Sequence, residues 1–377
     1  MIAPVAAVIA ILGALLWVVE FVADPRAAMS AYLVAFVCAA TIMLGAALQI
    51  MMSHLVGARW FVVLRRIALM IVAPFPVLAI LGIPLIVGIR WLYPWTHGAT
   101  SAHRAIWLSP GFFTVRTAIY LILWVWIAER LRGWALYQDR APATGIVRST
   151  AALRRLSTVG LFVTIISGTF AAFDWTMSLE PSWYSTIYGA LLLVGGIVAA
   201  LAVMIILAFA PVSGSRGWRR AITADQGSAL ATLLFTFVIL WAYFAFSQFL
   251  IIWIADIPVE AAWYRTRVEG GWNVLAAATF IGLFAVPFVL LLLRRIKRSP
   301  RALVALAVWI VVVYLAEIFW MIRPATSPTL QLRLVDVAAV IAVAGALIAV
   351  AAVRARPLAA LPAGDPYLDE ALQYRRG

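Results

Sequence analysis

The sequence has few charged residues. Charged side chains make up 12% of the 377 residues, about half the share of an ordinary soluble domain. Hydrophobic residues make up 66%, and the mean hydropathy is +1.04. A water-soluble fold of this size cannot hide so much apolar surface, because much of any folded surface faces water. The composition therefore excludes a soluble enzyme, a disordered chain and a nucleic-acid-binding protein.

Residues that hold metals or haem are also scarce. Cys38 is the single cysteine, so no internal disulfide and no cysteine-ligated cluster is expected. The three histidines, His54, His97 and His103, all lie outside the long apolar runs. Two of them share one loop without a nearby cysteine, which is a poor pattern for a metal site. We therefore expect this chain to bind no metal and no haem.

Long apolar runs dominate the chain. A helix needs roughly 20 apolar residues to cross about 30 Å of hydrocarbon. Such runs cover approximately residues 2–22, 31–52, 67–89, 108–129, 153–173, 185–210, 228–253, 273–293, 302–322 and 334–353. They are long and do not alternate as barrel strands do. The pattern predicts an all-α polytopic membrane protein with ten transmembrane helices, followed by an extended cytoplasmic tail over 354–377.

Two local patterns predict details of these helices. The third run contains Pro74, Pro76 and Pro84, and proline removes a backbone donor and clashes with the preceding turn. We therefore expect kinks in the third helix. The sixth run contains Gly195-Gly196, and small residues let membrane helices approach closely. This pair predicts a close helix–helix crossing.

Lysine and arginine are distributed unevenly between the two sides of the membrane. The loops after the second, fourth, sixth and eighth runs, together with the tail, hold 21 of the 29, and the opposite loops hold 7. Because basic loops stay in the cytoplasm, both termini are predicted to be cytoplasmic. Nine of the 15 acids lie on or near the outer side. The net charge of +14 therefore reflects membrane orientation and attraction to anionic lipid, not DNA binding.

Two charged residues fall inside predicted helices. Arg116 lies near the middle of the membrane, and Glu317 lies nearer the outer end of the ninth run. A charge in hydrocarbon needs a partner, and these two meet if the fourth and ninth helices touch. One interpretation is a polar path for protons or a pocket for a quinone head group. The other is an ion pair that fixes helix packing, and the residues alone leave both open.

The outer loop over residues 173–189 combines acids with large aromatic residues. Its acids are Asp174 and Glu180, and it has no basic residue. Its aromatic residues include Trp175, Trp183 and Tyr184. Taken alone, these residues favour an aromatic belt at the lipid–water boundary. The alternative is a docking surface, or the outer mouth of a proton route.

A second outer cluster follows the seventh run. Asp256 and Glu260 lie there with Trp263, and Gln248 lies inside the run, where its amide needs a polar partner. Trp95, before the fourth run, adds to the aromatic rim on the same side. Such a rim fits a surface covered by another protein, and lipid anchoring explains most of it as well.

Seven ordered stretches carry a resemblance to a known family. They are 54–60 running on to Arg65-Arg66, 91–95, 108–120, 173–186, 246–249, 254–258 and 365–368. The most specific runs from Phe173-Asp174-Trp175 through Met177-Ser178-Leu179-Glu180-Pro181 to Trp183-Tyr184-Ser185-Thr186. Together they resemble the F subunit of alternative complex III, the bacterial quinol:cytochrome c (or high-potential acceptor) oxidoreductase. That subunit belongs to the wider family of polysulfide-reductase-type membrane anchors.

The resemblance implies an architecture and a set of partners. It implies two four-helix bundles flanked by the first and last helices, in a bacterial inner membrane. It implies assembly with a homologous quinol-binding membrane subunit, an iron–sulfur subunit and multihaem cytochrome subunits on the outer face. Haem c and iron–sulfur clusters belong to those partners, and quinone binds nearby. The chain is then a non-catalytic subunit that scaffolds the complex and conducts protons from quinol oxidation.

The resemblance also selects candidate residues. It assigns a proton path to residues on the matching stretches, namely Arg116, Asp174, Glu180, Gln248 and Asp256. Further candidates outside those stretches are Glu129, Glu317 and Asp336. The family often has an acid after the arginine pair, where this chain has apolar residues 67–70, so Glu129 is the nearest remaining acid there. The candidates for docking a partner are Trp95, Trp175, Trp183, Tyr184 and Trp263.

Two alternative functions stay open at this point. The basic loop over 57–66 has a counterpart at 214–220, four runs later, which indicates either a two-unit repeat or two ordinary cytoplasmic loops. Ten helices and such a repeat are compatible with a stand-alone secondary transporter. Such a transporter is expected to have Gly- or Pro-broken helices at matching positions of its two halves. A quinone-binding membrane anchor is the other alternative, and it predicts quinone bound to the isolated chain.

Overall fold

Helices account for the regular structure of the described chain. The computed structural model describes residues 2–98, 106–209, 222–359 and 361–375. In these ranges it has no strands, and ten helices are long and apolar enough to cross a membrane. The prediction of an all-α polytopic membrane protein with ten spanning helices is therefore confirmed. His103 lies outside the described residues.

We number the ten long helices α1 to α10 along the chain. They are Ile2–Ala23, Pro25–Leu55, Arg59–Val87, Pro110–Gln138, Ala143–Leu179, Tyr188–Phe209, Ala224–Ala255, Trp272–Leu292, Pro300–Ala325 and Leu334–Arg354. Shorter helices connect or follow them at Ile89–Leu92, Pro258–Arg265, Arg294–Arg298 and Leu368–Leu372.

Two of the long helices are interrupted away from their ends. In α3, a 3₁₀ turn is followed by the segments Val62–Val72, Phe75–Leu81 and Ile83–Val87. Its breaks fall at the prolines, which confirms the predicted kinks. In α8, a π-helical turn over Ile281–Ala285 precedes Pro287. The wider turn accommodates a residue that has no backbone donor.

Several helices extend beyond the apolar runs of the sequence. Helix α2 begins at Pro25, whereas the run begins near residue 31. Asp24 caps it, since its side chain accepts a hydrogen bond from the backbone N–H of Ala27 at 3.1 Å. Proline at the first helical position suits such a start. A hydropathy pattern stops where the lipid ends, but the helix continues into the polar boundary.

The centre of the bundle is the crossing of α2 and α6. A Cβ atom added at Gly45 would lie 2.4 Å from the carbonyl oxygen of Gly196. A Cβ added at Gly196 would lie 2.4 Å from the carbonyl oxygen of Thr41. Glycine is therefore required on both helices, which confirms the close crossing predicted from Gly195-Gly196.

The other helices surround this pair. Each of α2 to α5 contacts the next, and α5 contacts α2 again. The same closed sequence of contacts joins α6 to α9, while α1 packs on α10 and α10 packs on α2. The two four-helix bundles as units of the architecture stay a prediction.

The C-terminal segment lies across one end of the helices. Asp365 pairs with Arg65 at 2.7 Å, and Glu370 pairs with Arg59. Gln226, in the first turn of α7, donates to the carbonyl of Ala371 at 2.6 Å. We name this end of the bundle the tail side and the other end the Asp174 side. Which of the two faces the cytoplasm stays a prediction.

Candidate functional site

Asp174, in the last turns of α5, is wholly buried and its carboxylate accepts four hydrogen bonds. Arg116 of α4 donates to it twice, from Nε to Oδ2 and from Nη2 to Oδ1, both at 2.7 Å. Tyr120 Oη donates to Oδ2 at 2.8 Å, and Trp107 Nε1 donates to Oδ1 at 3.1 Å. These four residues form the Asp174 cluster. A carboxylate with a bidentate arginine and two further donors is a satisfied anion.

The Arg116 side chain is also compensated on its other sides. Its guanidinium carbon lies 4.1 Å from the ring centre of Trp107 and 4.3 Å from that of Phe112. Its Nη1 donates to the Trp107 carbonyl at 3.0 Å. Aromatic faces attract a cation that has lost its water. The Asp174 cluster therefore ties the start of α4 and the segment before it to the end of α5.

The suggested meeting of Arg116 with Glu317 is wrong. Arg116 binds Asp174, whereas Glu317 Oε1 accepts a hydrogen bond from Trp241 Nε1 at 2.8 Å. The reason is the helix neighbourhood, since α4 packs on α5 while α9 packs on α6, α8 and α2. Sequence depth alone placed both residues in the membrane but could not say which helices touch.

Glu317 has far fewer partners than Asp174. It is buried, and its Oε2 has no hydrogen-bond partner among the described residues. Tyr314, one turn earlier on α9, donates to Thr41 Oγ1 of α2 at 2.8 Å. A Cβ at Gly195 would lie 2.8 Å from the Tyr314 ring and 3.5 Å from Glu317 Oε2. We name Trp241, Tyr314 and Glu317 the Glu317 site.

Glu180 belongs to a third buried contact on the Asp174 side. It pairs with Arg267 at 2.7 Å, and the Arg267 guanidinium lies 3.7 Å from the ring centre of Trp263. Arg267 also donates to the carbonyls of Trp263 and Met321. Burial lowers the pKa of the Arg267 guanidinium, and the Glu180 carboxylate opposes that shift. The pair joins the loop after α5 to the loop before α8.

Gln248 finds the polar partners that its position in α7 requires. Its Oε1 accepts from Ser185 at 3.0 Å, and its Nε2 donates to Tyr264 Oη at 3.3 Å. Burial raises the pKa of Tyr264 to about 12, so this phenol remains a neutral partner. The amide therefore connects the two loops that the sequence predicted on the outer side.

Asp336 is held at the start of α10. Its Oδ1 lies 3.4 Å from Arg323, and its Oδ2 accepts from the backbone N–H of Arg333 at 2.8 Å. Arg333 in turn pairs with Asp24 at 2.7 Å. This hydrogen bond keeps the pKa of Asp24 below its ordinary value. The network links the ends of α1, α9 and α10.

The last two proton-path candidates lie near the surface. Glu129 accepts two hydrogen bonds from Arg354 on the tail side, at 2.6 and 2.7 Å. Asp256 ends α7 with a φ of 45° and is exposed. Its side chain has no hydrogen bond or ion pair to any residue that the structure describes. Of the eight proton-path candidates, Arg116 and Asp174 therefore contact each other, and the others lie in separate groups.

The aromatic candidates for docking divide by burial. Trp95, Trp175, Trp183 and Trp263 are each 3% exposed, whereas Tyr184 is 57% exposed. Trp183 stacks on Trp263 with ring centres 4.7 Å apart, so these rings pack within the chain. Direct docking does not fit the four tryptophans, because they have almost no surface to offer. It stays a prediction for Tyr184.

Sequence reasoning missed several residues of these sites. Arg267 is one such residue, and the acids of the neighbouring loop are a signal that it has a partner. Tyr120 lies four residues after Arg116, so the helical spacing could have placed it beside the arginine. Nothing in the local sequence around Trp241 and Tyr314 indicated a contact with Glu317.

A scan against protein-family models and a search of curated proteins both found no match to the chain. Within the described ranges, no group of three or more His, Cys, Asp or Glu side chains is placed to hold a metal ion. The polar clusters and the resemblance of the sequence motifs are therefore the features that bear on function.

Proposed function

We propose that this membrane protein is a non-catalytic subunit of a respiratory quinol oxidoreductase. In that role it scaffolds the complex, and Glu317 takes up and releases a proton. The motif resemblance supports the redox context. The proposal includes the partners implied by that resemblance, which carry the haem and iron–sulfur groups. The structure supports the part of the proposal that concerns protons.

A single observation carries the proton assignment. Four acidic residues are buried among those that the structure describes, and three of them pair with arginine: Asp174, Asp336 and Asp365. Among the described residues, Glu317 has no cation partner and one donor, Trp241. An isolated carboxylate is costly in an apolar medium, so this environment favours a carboxyl group that carries its proton. Such a group is suited to proton exchange, whereas an arginine-bound carboxylate is suited to anchoring.

Neighbouring groups extend the polar environment of Glu317. Tyr314 lies one turn away on α9, and its hydroxyl donates to Thr41. Thr41 itself donates to the carbonyls of Val37 and Cys38. The hydroxyl of Tyr314 therefore connects α9 with α2 at the centre of the bundle. Among the described residues, the hydrogen bonds traced from Tyr314 end at the carbonyls of Val37 and Cys38. A proton route from there to either membrane surface therefore requires water.

The test has two steps. In mild detergent, the chain should co-purify with subunits that show haem absorbance. A colourless chain that functions alone would contradict the subunit role. In the assembled complex, Glu317→Gln should lower both turnover and proton release per electron. Glu269→Gln is the matched control, because it makes the same change at an exposed acid outside the candidate residues and should leave both unchanged. Wild-type values for Glu317→Gln would leave scaffolding as the only role.

A quinone-binding anchor is the second candidate, and one groove favours it. The groove holds about 450 Å³ on the Asp174 side and is lined by Trp107, Phe170, Phe173 and Tyr184, among others. Its aromatic walls suit a quinone ring. Asp174 is an unsuitable head-group partner, because donors of this chain already occupy its carboxylate. Quinone retained by the isolated chain would support this candidate.

The transporter alternative receives less support. It requires broken helices at matching positions of the two halves. The helices interrupted away from their ends are α3 and α8, which are the second of α2 to α5 and the third of α6 to α9. These positions do not correspond.

A further inference from the structure

A groove between the tail-side ends of α4 and α5 combines unpaired cations with aromatic surface. It holds about 380 Å³ and is lined by Glu129, Arg130, Gly133, Trp134, Tyr137 and Arg148. Arg130 and Arg148 are exposed, and neither forms an ion pair with any residue that the structure describes. Glu129 does not cancel their charge, because Arg354 already binds its carboxylate.

Several residues of the groove lie along one lipid-facing stripe of α4. Residues 126, 130, 133 and 137 recur at helical spacing on α4, and Trp126 and Tyr137 are 50% and 45% exposed. The stripe continues away from the tail side through the exposed Ile119 and Ile122. On α5, Arg148 is followed at helical spacing by the exposed Arg155 and then by the exposed Val159 and Phe162. An apolar stripe on each helix therefore runs from the cations into the hydrocarbon region.

We propose that this groove binds an anionic phospholipid. The phosphate lies between Arg130 and Arg148, and the acyl chains lie along the stripes of α4 and α5. Charge complementarity favours an anionic over a zwitterionic lipid, since Arg130 and Arg148 have no acidic partner within the described chain. Basic grooves between helix ends are suited to such headgroups, and arginine binds phosphate oxygens well. Trp134 and Tyr137 suit the boundary between headgroup and hydrocarbon.

Gly133 forms the open floor of the groove. A Cβ added there meets no atom within 4 Å, so packing within the chain does not require glycine. A leucine at this position would fill the groove while leaving both arginines in place. Gly111, in the first turn of α4, is equally open to a Cβ and lies at the other end of the helix. It is therefore a matched control for the substitution itself.

The experiment titrates the purified full-length chain with phosphatidylglycerol or phosphatidylcholine and counts bound lipid by native mass spectrometry. The wild type should prefer phosphatidylglycerol. The double variant Arg130→Gln and Arg148→Gln should lose about 30-fold in affinity, because each basic side chain near an anionic surface contributes about fivefold. Arg294→Gln with Arg295→Gln removes two exposed arginines of the short helix after α8 and should change affinity less than about twofold.

The glycine variants separate a groove from a diffuse positive charge. Gly133→Leu should weaken phosphatidylglycerol binding although no charge changes, and Gly111→Leu should not. Equal losses from the two arginine pairs, or no loss from Gly133→Leu, would overturn the proposal. Displacement of the lipid by millimolar inorganic phosphate would instead assign the site to free phosphate. Elution volume and thermal midpoint confirm that each variant is folded.

Discussion

Asp174 and Glu317 are both buried carboxyl groups, but they are stabilised in different ways. Asp174 receives four hydrogen bonds, two of them from Arg116. Glu317 receives one, from Trp241. Both lie in a chain whose interior is mostly apolar. The comparison therefore separates what burial does to an acid from what its partners do.

The hydrogen-bond and ion-pair partners of a buried acid determine whether the fold requires its charged or its neutral form. That form in turn determines whether the acid anchors helices or exchanges a proton. Removing one member of a buried ion pair leaves an uncompensated charge. Replacing either Arg116 or Asp174 alone should therefore destabilise the fold. Glu317 leaves no opposite charge behind when it is neutralised. The Asp174 cluster is therefore expected to stabilise the fold, and Glu317 is expected to be tolerant of neutral substitutes.

Neutralising the two acids should have very different effects on stability. Asp174→Asn leaves Arg116 buried without its anion and should lower the free energy of unfolding by about 3–5 kcal/mol. Glu317→Gln keeps the shape and the acceptor for Trp241, so its effect should stay within about 1 kcal/mol. Denaturation in mixed detergent micelles measures both changes.

A double variant tests the reason for the first effect. Replacing Arg116 by Met in the Asp174→Asn background removes the uncompensated charge, so much of the lost stability should return. If the double variant is as unstable as Asp174→Asn alone, the buried charge is not the cause. If Glu317→Gln matches the loss at Asp174, the contrast between the two sites is wrong.

A substitution that crowds the Glu317 site should cause the next largest loss in the free energy of unfolding. The Cβ of Gly195→Ala would lie 2.8 Å from the Tyr314 ring, and that ring is held by its hydrogen bond to Thr41. We expect a loss of about 2 kcal/mol from overpacking, measured by the same denaturation. Gly133→Ala is the control, because it adds a methyl group in open space and should be neutral or slightly stabilising. Equal outcomes for the two would mean that the site repacks freely.

The sequence predicted the fold better than the sites, and the reason is physical. Length and hydropathy determine which segments cross a membrane, so the ten helices could be found one by one. A contact such as Arg116 with Asp174 depends on which helices are neighbours, and no single run of residues encodes that. The same limit applies to Trp183 and Trp263, whose interfacial positions suggested a partner although each is the other's neighbour.

Removing the single donor at Glu317 should cost less than crowding it. Trp241→Phe takes away the Nε1–H that binds Oε1, and we expect a loss of about 1 kcal/mol. Making the same change in the Glu317→Leu background provides the control, since no acceptor is present there to lose its donor. If the loss is the same in both backgrounds, ring packing and not the hydrogen bond accounts for it.

Neutralising Asp24 should have the smallest effect on stability. Asp24 pairs with an arginine as Asp174 does, but it lies partly in solvent. Its hydrogen bond from Arg333 lowers its pKa, so this stabilisation is present above the ordinary carboxyl range and is lost as pH falls through the lowered pKa. Asp24→Asn keeps a good cap for α2 but removes the charge, and near neutral pH it should lose about 0.2–1 kcal/mol. The difference from the wild type should shrink as the medium becomes acidic enough to protonate Asp24. Asp24→Ala removes the cap as well, so it should lose more stability than Asp24→Asn, and the part due to the cap should remain when Asp24 is protonated. A pH-independent difference for Asp24→Asn would mean that the ion pair with Arg333 contributes nothing, and that partners stabilise an acid here only when they are buried with it.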